Sequence, residues 1–162
     1  MSSKEQKEKI WQLIKDTKVG MLTTQVGNSL HSRPMHIVQD SYDGNIFFFT
    51  DVVSEKNFEI GREDQVCVTF SNSDTENYVS LTGTATLRRD QDLIDKHWNS
   101  MIGSWFPEGK ESSRVGFLDI KVQAGEYWDG ESSRILQIYE LAKAKITGER
   151  PEMGENSKFG SL

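Results

Sequence analysis

One cysteine, Cys67, is the whole thiol complement of this 162-residue chain. A single thiol excludes an internal disulfide framework and any zinc site built from several cysteines. No apolar run approaches the roughly eighteen residues that a membrane-spanning helix needs, so no such span is expected. Positive charge is also scarce: 19 Lys and Arg stand against 25 Asp and Glu, a net charge of −6. Without a positive field, neither generic nucleic-acid binding nor binding to an anionic membrane is expected. A small anionic ligand stays open, because it needs only a few cations placed locally. The first ten residues, MSSKEQKEKI, are polar. No signal peptide is therefore expected, and a cytoplasmic location is.

Hydrophobic residues make up only 35%, but eight Phe, four Tyr and four Trp put large apolar side chains among them. A chain of this length fits one domain, 1–162, and can bury about 70% of the surface exposed when unfolded. The first sixteen residues predict a helix, in an N-terminal segment 1–17. Ser3 and Gln6 make a capping box, and Ile10, Trp11 and Ile14 share a face. Strand patterns follow at 19–24, 30–38, 46–50, 65–71 and 78–87, separated by polar turns. The run Phe47-Phe48-Phe49 predicts a strand buried on both faces. Gly83, inside a strand, marks a bulge or a close backbone approach. A short helix is expected at 54–60, and a second helix, capped by Asp90, carries Leu93, Ile94, His97, Trp98 and Met101 on one side. A loop, 103–114, then leads into two last strands at 115–122 and 125–129. Ile135, Ile138, Tyr139, Ala142 and Ile146 recur at helical spacing until Gly148, and a polar tail, 149–162, ends the chain. The order lacks a β-α-β-α rhythm, so the prediction is mainly β: a small antiparallel barrel with peripheral helices.

Several chemistries have no motif here. GxGxxG, GxxxxGK[ST] and GxSxG are missing. His31, His36 and His97 lack metal-ligand spacing, and no metal site is expected. Cys67 alternates with Val66 and Val68 and reads as a buried small hydrophobe. No side chain stands out as a general acid or base. Two segments are more suggestive. In Ser32-Arg33-Pro34-Met35, a cation inside a strand precedes a residue that cannot donate to a ladder. It reads either as an exposed edge arginine or as a cation aimed at a ligand. In Phe49-Thr50-Asp51-Val52-Val53-Ser54-Glu55-Lys56, an aromatic strand runs into a helix start, where free N–H donors suit a phosphate. Ser54 and Lys56 read there either as a plain cap with a solvated lysine or as a phosphate grip.

These two segments, with Val79-Ser80-Leu81-Thr82-Gly83-Thr84-Ala85, Trp105-Phe106-Pro107 and Glu126-Tyr127-Trp128-Asp129, together resemble one family in order and spacing. That family is the pyridoxamine 5'-phosphate oxidase-like FMN-binding split barrels, and the likeness is strongest to the general stress protein 26 group. The resemblance implies an α+β fold around a six-stranded antiparallel split barrel. It also implies a homodimer with FMN held in clefts at the subunit interface. Carried over residue by residue, it places Arg33, Pro34 and Met35 beside the flavin ring or phosphate, and Phe49 and Thr50 by the ring and ribityl chain. Ser54 and Lys56 would hold the phosphate. Trp105 and Phe106 would close on the flavin, as a wall contributed by the second chain, and Tyr78 and Ser80 are further candidates from across the interface. Trp128 lies in a Glu-Tyr-Trp-Asp-Gly stretch like that of the true oxidases, with the chain that supplies it left open. Trp128 reads equally as an interface or core aromatic. True oxidases of the family continue with an Arg-Leu-His-Asp-Arg run that binds the substrate phosphate. This chain has Glu131-Ser132-Ser133-Arg134-Ile135-Leu136 instead. The expected function is therefore a flavin-binding stress or redox protein. An FMN-dependent oxidoreductase on another small molecule is the alternative, and a cofactor-free dimeric barrel the weaker one.

Overall fold

The computed structural model describes residues 3–53, 64–148 and 157–159. Helix α1 (Ser3–Ile14) opens the chain and buries Ile10, Leu13 and Ile14. The strands are β1 (Val19–Val26), β2 (Ser29–His36), β3 (Asn45–Asp51), β4 (Asp64–Asn72), β5 (Asn77–Arg88) and β6 (Val115–Trp128). They form one antiparallel sheet in the order β2-β1-β4-β5-β6-β3, and a short strand β7 (Ser157–Phe159) pairs with β6. Among the described residues, the two ends of that path are joined by one isolated bridge, between Ile37 and Phe48, so the sheet curls round without closing into a continuous ladder. This is a mainly antiparallel α+β architecture of the split-barrel kind.

Alternation along the strands fills the interior. Leu22, Ile46, Phe48, Val66, Val68, Phe70, Val79, Leu81, Leu118 and Ile120 are buried together, with α1 packed against them. Cys67 lies between Val66 and Val68 and so faces outward. It is half-buried there, 3.5 Å from the Ser80 hydroxyl, and not the buried hydrophobe expected from its neighbours. A second cluster lies on the other side of β3, where Phe47 and Phe49 pack with Ile94, Val115 and Phe117. The Phe run is thus covered on both faces.

Three elements differ from the sequence expectation. The helix expected after Asp90 is two helices, α2 (Gln91–His97) and α3 (Ser100–Trp105). Trp98 adopts an extended backbone, and Asn99 restarts the helix by accepting a hydrogen bond from Ile102 N. The loop expected at 103–114 consequently begins only after Trp105. The two strands expected at 115–122 and 125–129 are one continuous strand. Its register against β5 steps between Thr82 and Gly83, so Gln123 falls between paired positions. That bulge is what the Gly83 signal marked. A Cβ on Gly83 would lie 2.1 Å from the Lys121 carbonyl oxygen. Within the polar C-terminal stretch, β7 carries Phe159 against the main core, where its ring occupies the space above Gly125. Helix α4 (Gly130–Thr147) ends at Gly148, whose φ of 70° suits a glycine terminator. The helix expected at 54–60 lies outside the described residues.

Candidate functional site

Beyond the bridge between Ile37 and Phe48, a cleft of about 420 Å³ lies between β2, the end of β3 and α3. Arg33 stands opposite Leu22 on β1, which points into the core. Its side chain therefore leaves β2 on the inner side of the sheet. Pro34, lacking an N–H, is tolerated because β2 ends the strand order. Arg33 Nη2 makes a long contact of 3.5 Å with the Thr24 hydroxyl. Among the described residues it has no carboxylate within ion-pair distance. A half-buried guanidinium left with spare donors is a natural anion receptor.

The opposite wall is aromatic and rigid. Phe49 lines the cleft and at the same time packs on Phe117 at 4.5 Å and edge-on to Trp98 at 6.1 Å. Trp98 in turn meets Phe106 at 6.3 Å, and Phe106 also lines the cleft. Short polar ties hold the segment after α3. Gln91 donates to the Lys110 carbonyl at 3.3 Å, Arg89 to the Glu111 carbonyl at 3.2 Å, and Lys110 pairs with Asp95 at 3.1 Å. The hydrogen bonds from Gln91 and Lys110 keep the Asp95 carboxyl below its ordinary range.

At the cleft's rim, Trp105 is 79% exposed and Met101 49% exposed, one helical turn apart on α3. Trp105 therefore does not cover the core of its own chain. Thr50 and Asp51 close the end of β3. Asp51 Oδ1 accepts from Val53 N at 2.9 Å, and Oδ2 accepts from Arg114 Nε at 3.1 Å and from Nη2. The same pairing raises the Arg114 pKa above its ordinary value.

Seven residues singled out in the sequence thus surround one cleft of a single chain: Arg33, Pro34, Met35, Phe49, Thr50 and, rather than reaching it from a second chain as expected, Trp105 and Phe106, which α3 carries to it. Tyr78, Ser80 and Trp128 do not reach it. Tyr78 and Trp128 are a cross-strand pair on β5 and β6, and Ser80 faces outward beside Cys67. Ser54 and Lys56 lie outside the described residues. Sequence reasoning missed Asp51, Met101, Ile102 and His36. For Met101 a signal existed, the i, i+4 spacing to Trp105. Asp51 gave none, because its partner Arg114 is 63 positions away.

The family model described as pyridoxamine 5'-phosphate oxidase like matches residues 5–152. The chain belongs to that family. Within the pyridoxamine 5'-phosphate oxidase-like proteins it is similar to general stress protein 26 of Bacillus subtilis (strain 168). The two are 28% identical over 128 residues, covering 75% of this chain and 86% of the relative. Its fold is that of a protein from Jannaschia sp. CCS1 named after general stress protein 26, with a TM-score of 0.75 and 24% identity over 98% of this chain and 99% of that one. It is also similar to the general stress FMN/FAD binding protein of Xanthomonas citri, with a TM-score of 0.70 and 26% identity over 81% and 93% of the two chains.

The cleft suits a flavin on its own chemistry. Its volume falls in the range of small-ligand sites, roughly 300–1,000 Å³, which are mostly apolar with a few polar anchors. Met35, Phe49, Ile102 and Phe106 supply apolar wall, and Arg33 supplies the anchor.

Proposed function

We propose that this protein binds flavin mononucleotide in the cleft between β2, β3 and α3, as a general stress protein of the pyridoxamine 5'-phosphate oxidase-like family. The observation that carries this reading is Arg33, a cation that has no carboxylate partner among the described residues and lines an aromatic and aliphatic cleft. The similarity to a general stress FMN/FAD binding protein supports it. In this reading Arg33, Ser54 and Lys56 hold the phosphate, Pro34, Met35, Phe49 and Thr50 contact the ring and ribityl chain, and Trp105 and Phe106 shield them. Tyr78, Ser80 and Trp128 serve the second cleft of a cytoplasmic homodimer, and 1–162 acts as one domain.

A bound flavin supplies reversible electron and hydride transfer, and the protein sets its access and electronics. In this reading the side chains of the cleft bind, orient and exclude water. Pyridoxamine phosphate oxidation is not part of the proposal, since the Arg-Leu-His-Asp-Arg run is replaced.

The test is the visible spectrum of the purified protein, followed by titration with FMN and with riboflavin. Hydrogen bonds to charged groups are worth about 1.5–3 kcal/mol. Lys56→Ala is therefore expected to weaken FMN by roughly 10–150-fold and riboflavin, which lacks the phosphate, far less. Arg33→Gln is expected to behave the same way. A protein that binds neither flavin, or variants that lose both equally, would refute the assignment.

A further inference from the structure

The cleft carries two opposite charges. Arg33 lines it from β2, and Asp51 lines it at the end of β3. A carboxylate at the edge of such a cleft opposes an anionic ligand, the less so the more its charge is offset. Arg114 offsets it from outside the cleft: it does not line the cleft, yet two of its nitrogens reach Asp51 Oδ2.

Arg114 is itself held in register. Its backbone N–H donates to the Ser112 hydroxyl at 3.2 Å, and its carbonyl accepts from Val52 N at 2.8 Å. Two positions on, Gly116 leaves room for Val52, whose Cγ1 would lie 2.4 Å from a Cβ there. The start of β6 therefore grips the residue after Asp51 by its backbone and Asp51 itself by its side chain. Stability alone is a weak reason for this pair. Arg114 is 49% exposed, and ion pairs so open to water contribute little to folding. Its position at a ligand cleft gives it a different consequence.

We propose that Arg114 is the charge-setting residue of the cleft: by neutralising Asp51 it leaves Arg33 as the dominant field and makes the cleft selective for anionic over neutral ligands. The inference rests on the flavin reading and names a positioning residue for that site, one that acts through Asp51. Asp51 to Asn separates charge from geometry, because the amide keeps an oxygen to accept from Val53 N.

The experiment is titration of FMN and riboflavin, read by flavin fluorescence, against wild type, Arg114→Gln, Arg114→Lys, Asp51→Asn and the double variant D51N/R114Q. For charges partly screened by water, R114Q is expected to weaken FMN about three- to tenfold and leave riboflavin within about twofold. Arg114→Lys keeps the cation and is expected to restore most of the FMN affinity. D51N alone is expected to tighten FMN, and D51N/R114Q to return close to wild type. If R114Q does not fold, D51N carries the test, and an FMN affinity lowered by D51N overturns the proposal. Equal losses of FMN and riboflavin in R114Q, or no recovery in the double variant, overturn it too, since either result assigns the pair to turn geometry. A wild-type protein that binds no FMN removes the flavin reading, and this inference with it. FMN binding to wild type with unchanged affinity in every variant overturns the inference alone.

Discussion

Phe49 rests on Phe117 with 4.5 Å between ring centroids and 46° between the planes, where the cleft wall becomes the second core. One side chain thus serves both the ligand site and the packing of α2 and the segment after α3 through Trp98. Removing it should register in both. Phe49→Ala is expected to destabilise the fold by about 2–4 kcal/mol, toward the low end for a large core truncation because the ring is half-buried. Urea unfolding measures that loss. Phe49→Leu, which keeps much of the volume, is expected to recover most of the stability but not the aromatic contact with a flavin ring.

Gly83 offers a sharper structural test. The bulge brings the Lys121 carbonyl so close that even a methyl group at position 83 must displace backbone. Gly83→Ala is expected to cost about 2–4 kcal/mol, in the range of mutations that strain the main chain. Thr82→Ala, one position earlier and exposed, serves as the control and is expected to stay within about 0.5 kcal/mol. Thermal unfolding of the two variants side by side gives the comparison. A Gly83→Ala protein as stable as wild type would mean that the bulge is not tightly specified.

What the sequence disclosed and what it withheld follow from the range of the physics involved. Period-two alternation and turn residues are local, and they located the strands from Val19 to Arg88 to within about two residues. Asn99 is local as well, but a helix pattern running through it hid its second role as a cap. The strand Val115–Trp128 reads as two in sequence, parted at Gln123 and Ala124, whereas the ladder with β5 absorbs the extra residue as a bulge. Cys67 was misplaced by reading its neighbours' polarity without its parity. In the cleft, Arg33 is visible because a cation beside a proline is unusual inside a strand, whereas Phe49, Thr50 and the Trp105-Phe106 pair are legible as site residues only through the family resemblance. The Asp51–Arg114 pair was not visible, since nothing in either residue's surroundings points to the other.

Tyr42 provides a prediction in pH. Its phenol is buried in the main core, and burial, with a smaller contribution from the neighbouring Asp43 carboxylate, raises its pKa well above the ordinary 10.0. The folded state therefore keeps the proton where the unfolded chain releases it. The stability linked to this group is fully present below about pH 10 and is lost as pH rises above that value. The slope for one such group is up to about 1.4 kcal/mol per pH unit. Tyr42→Phe removes the titrating proton, so its stability is expected to fall less steeply than that of wild type between pH 9 and pH 11, roughly the window of a phenol. Near-ultraviolet absorbance should likewise show one tyrosine silent until the protein unfolds. Parallel slopes for wild type and Tyr42→Phe would argue against the effect.

Flavin binding and self-association should be coupled. Three residues expected at the flavin, Tyr78, Ser80 and Trp128, lie away from the cleft of their own chain, on the outer side of β5 and β6. Tyr78 and Trp128 are 40% and 37% exposed, which is unusual for a cross-strand pair of large aromatics without a cover. Trp105, at the rim, is more exposed still. A second copy that brings its β5–β6 face to the rim would cover both sets at once and complete each cleft with residues from two chains. If so, FMN binds the dimer and not the monomer, and stabilises the dimer by mass action. Dilution is expected to release flavin as the dimer dissociates, and added FMN to shift that transition to lower protein concentration. Trp128→Ala is expected to weaken both association and FMN binding, although Trp128 touches no part of its own chain's cleft. Analytical ultracentrifugation over a dilution series, with and without FMN, measures the coupling. A monomer that binds FMN as tightly as the dimer would show that one chain suffices and would return Trp128 to a purely structural role.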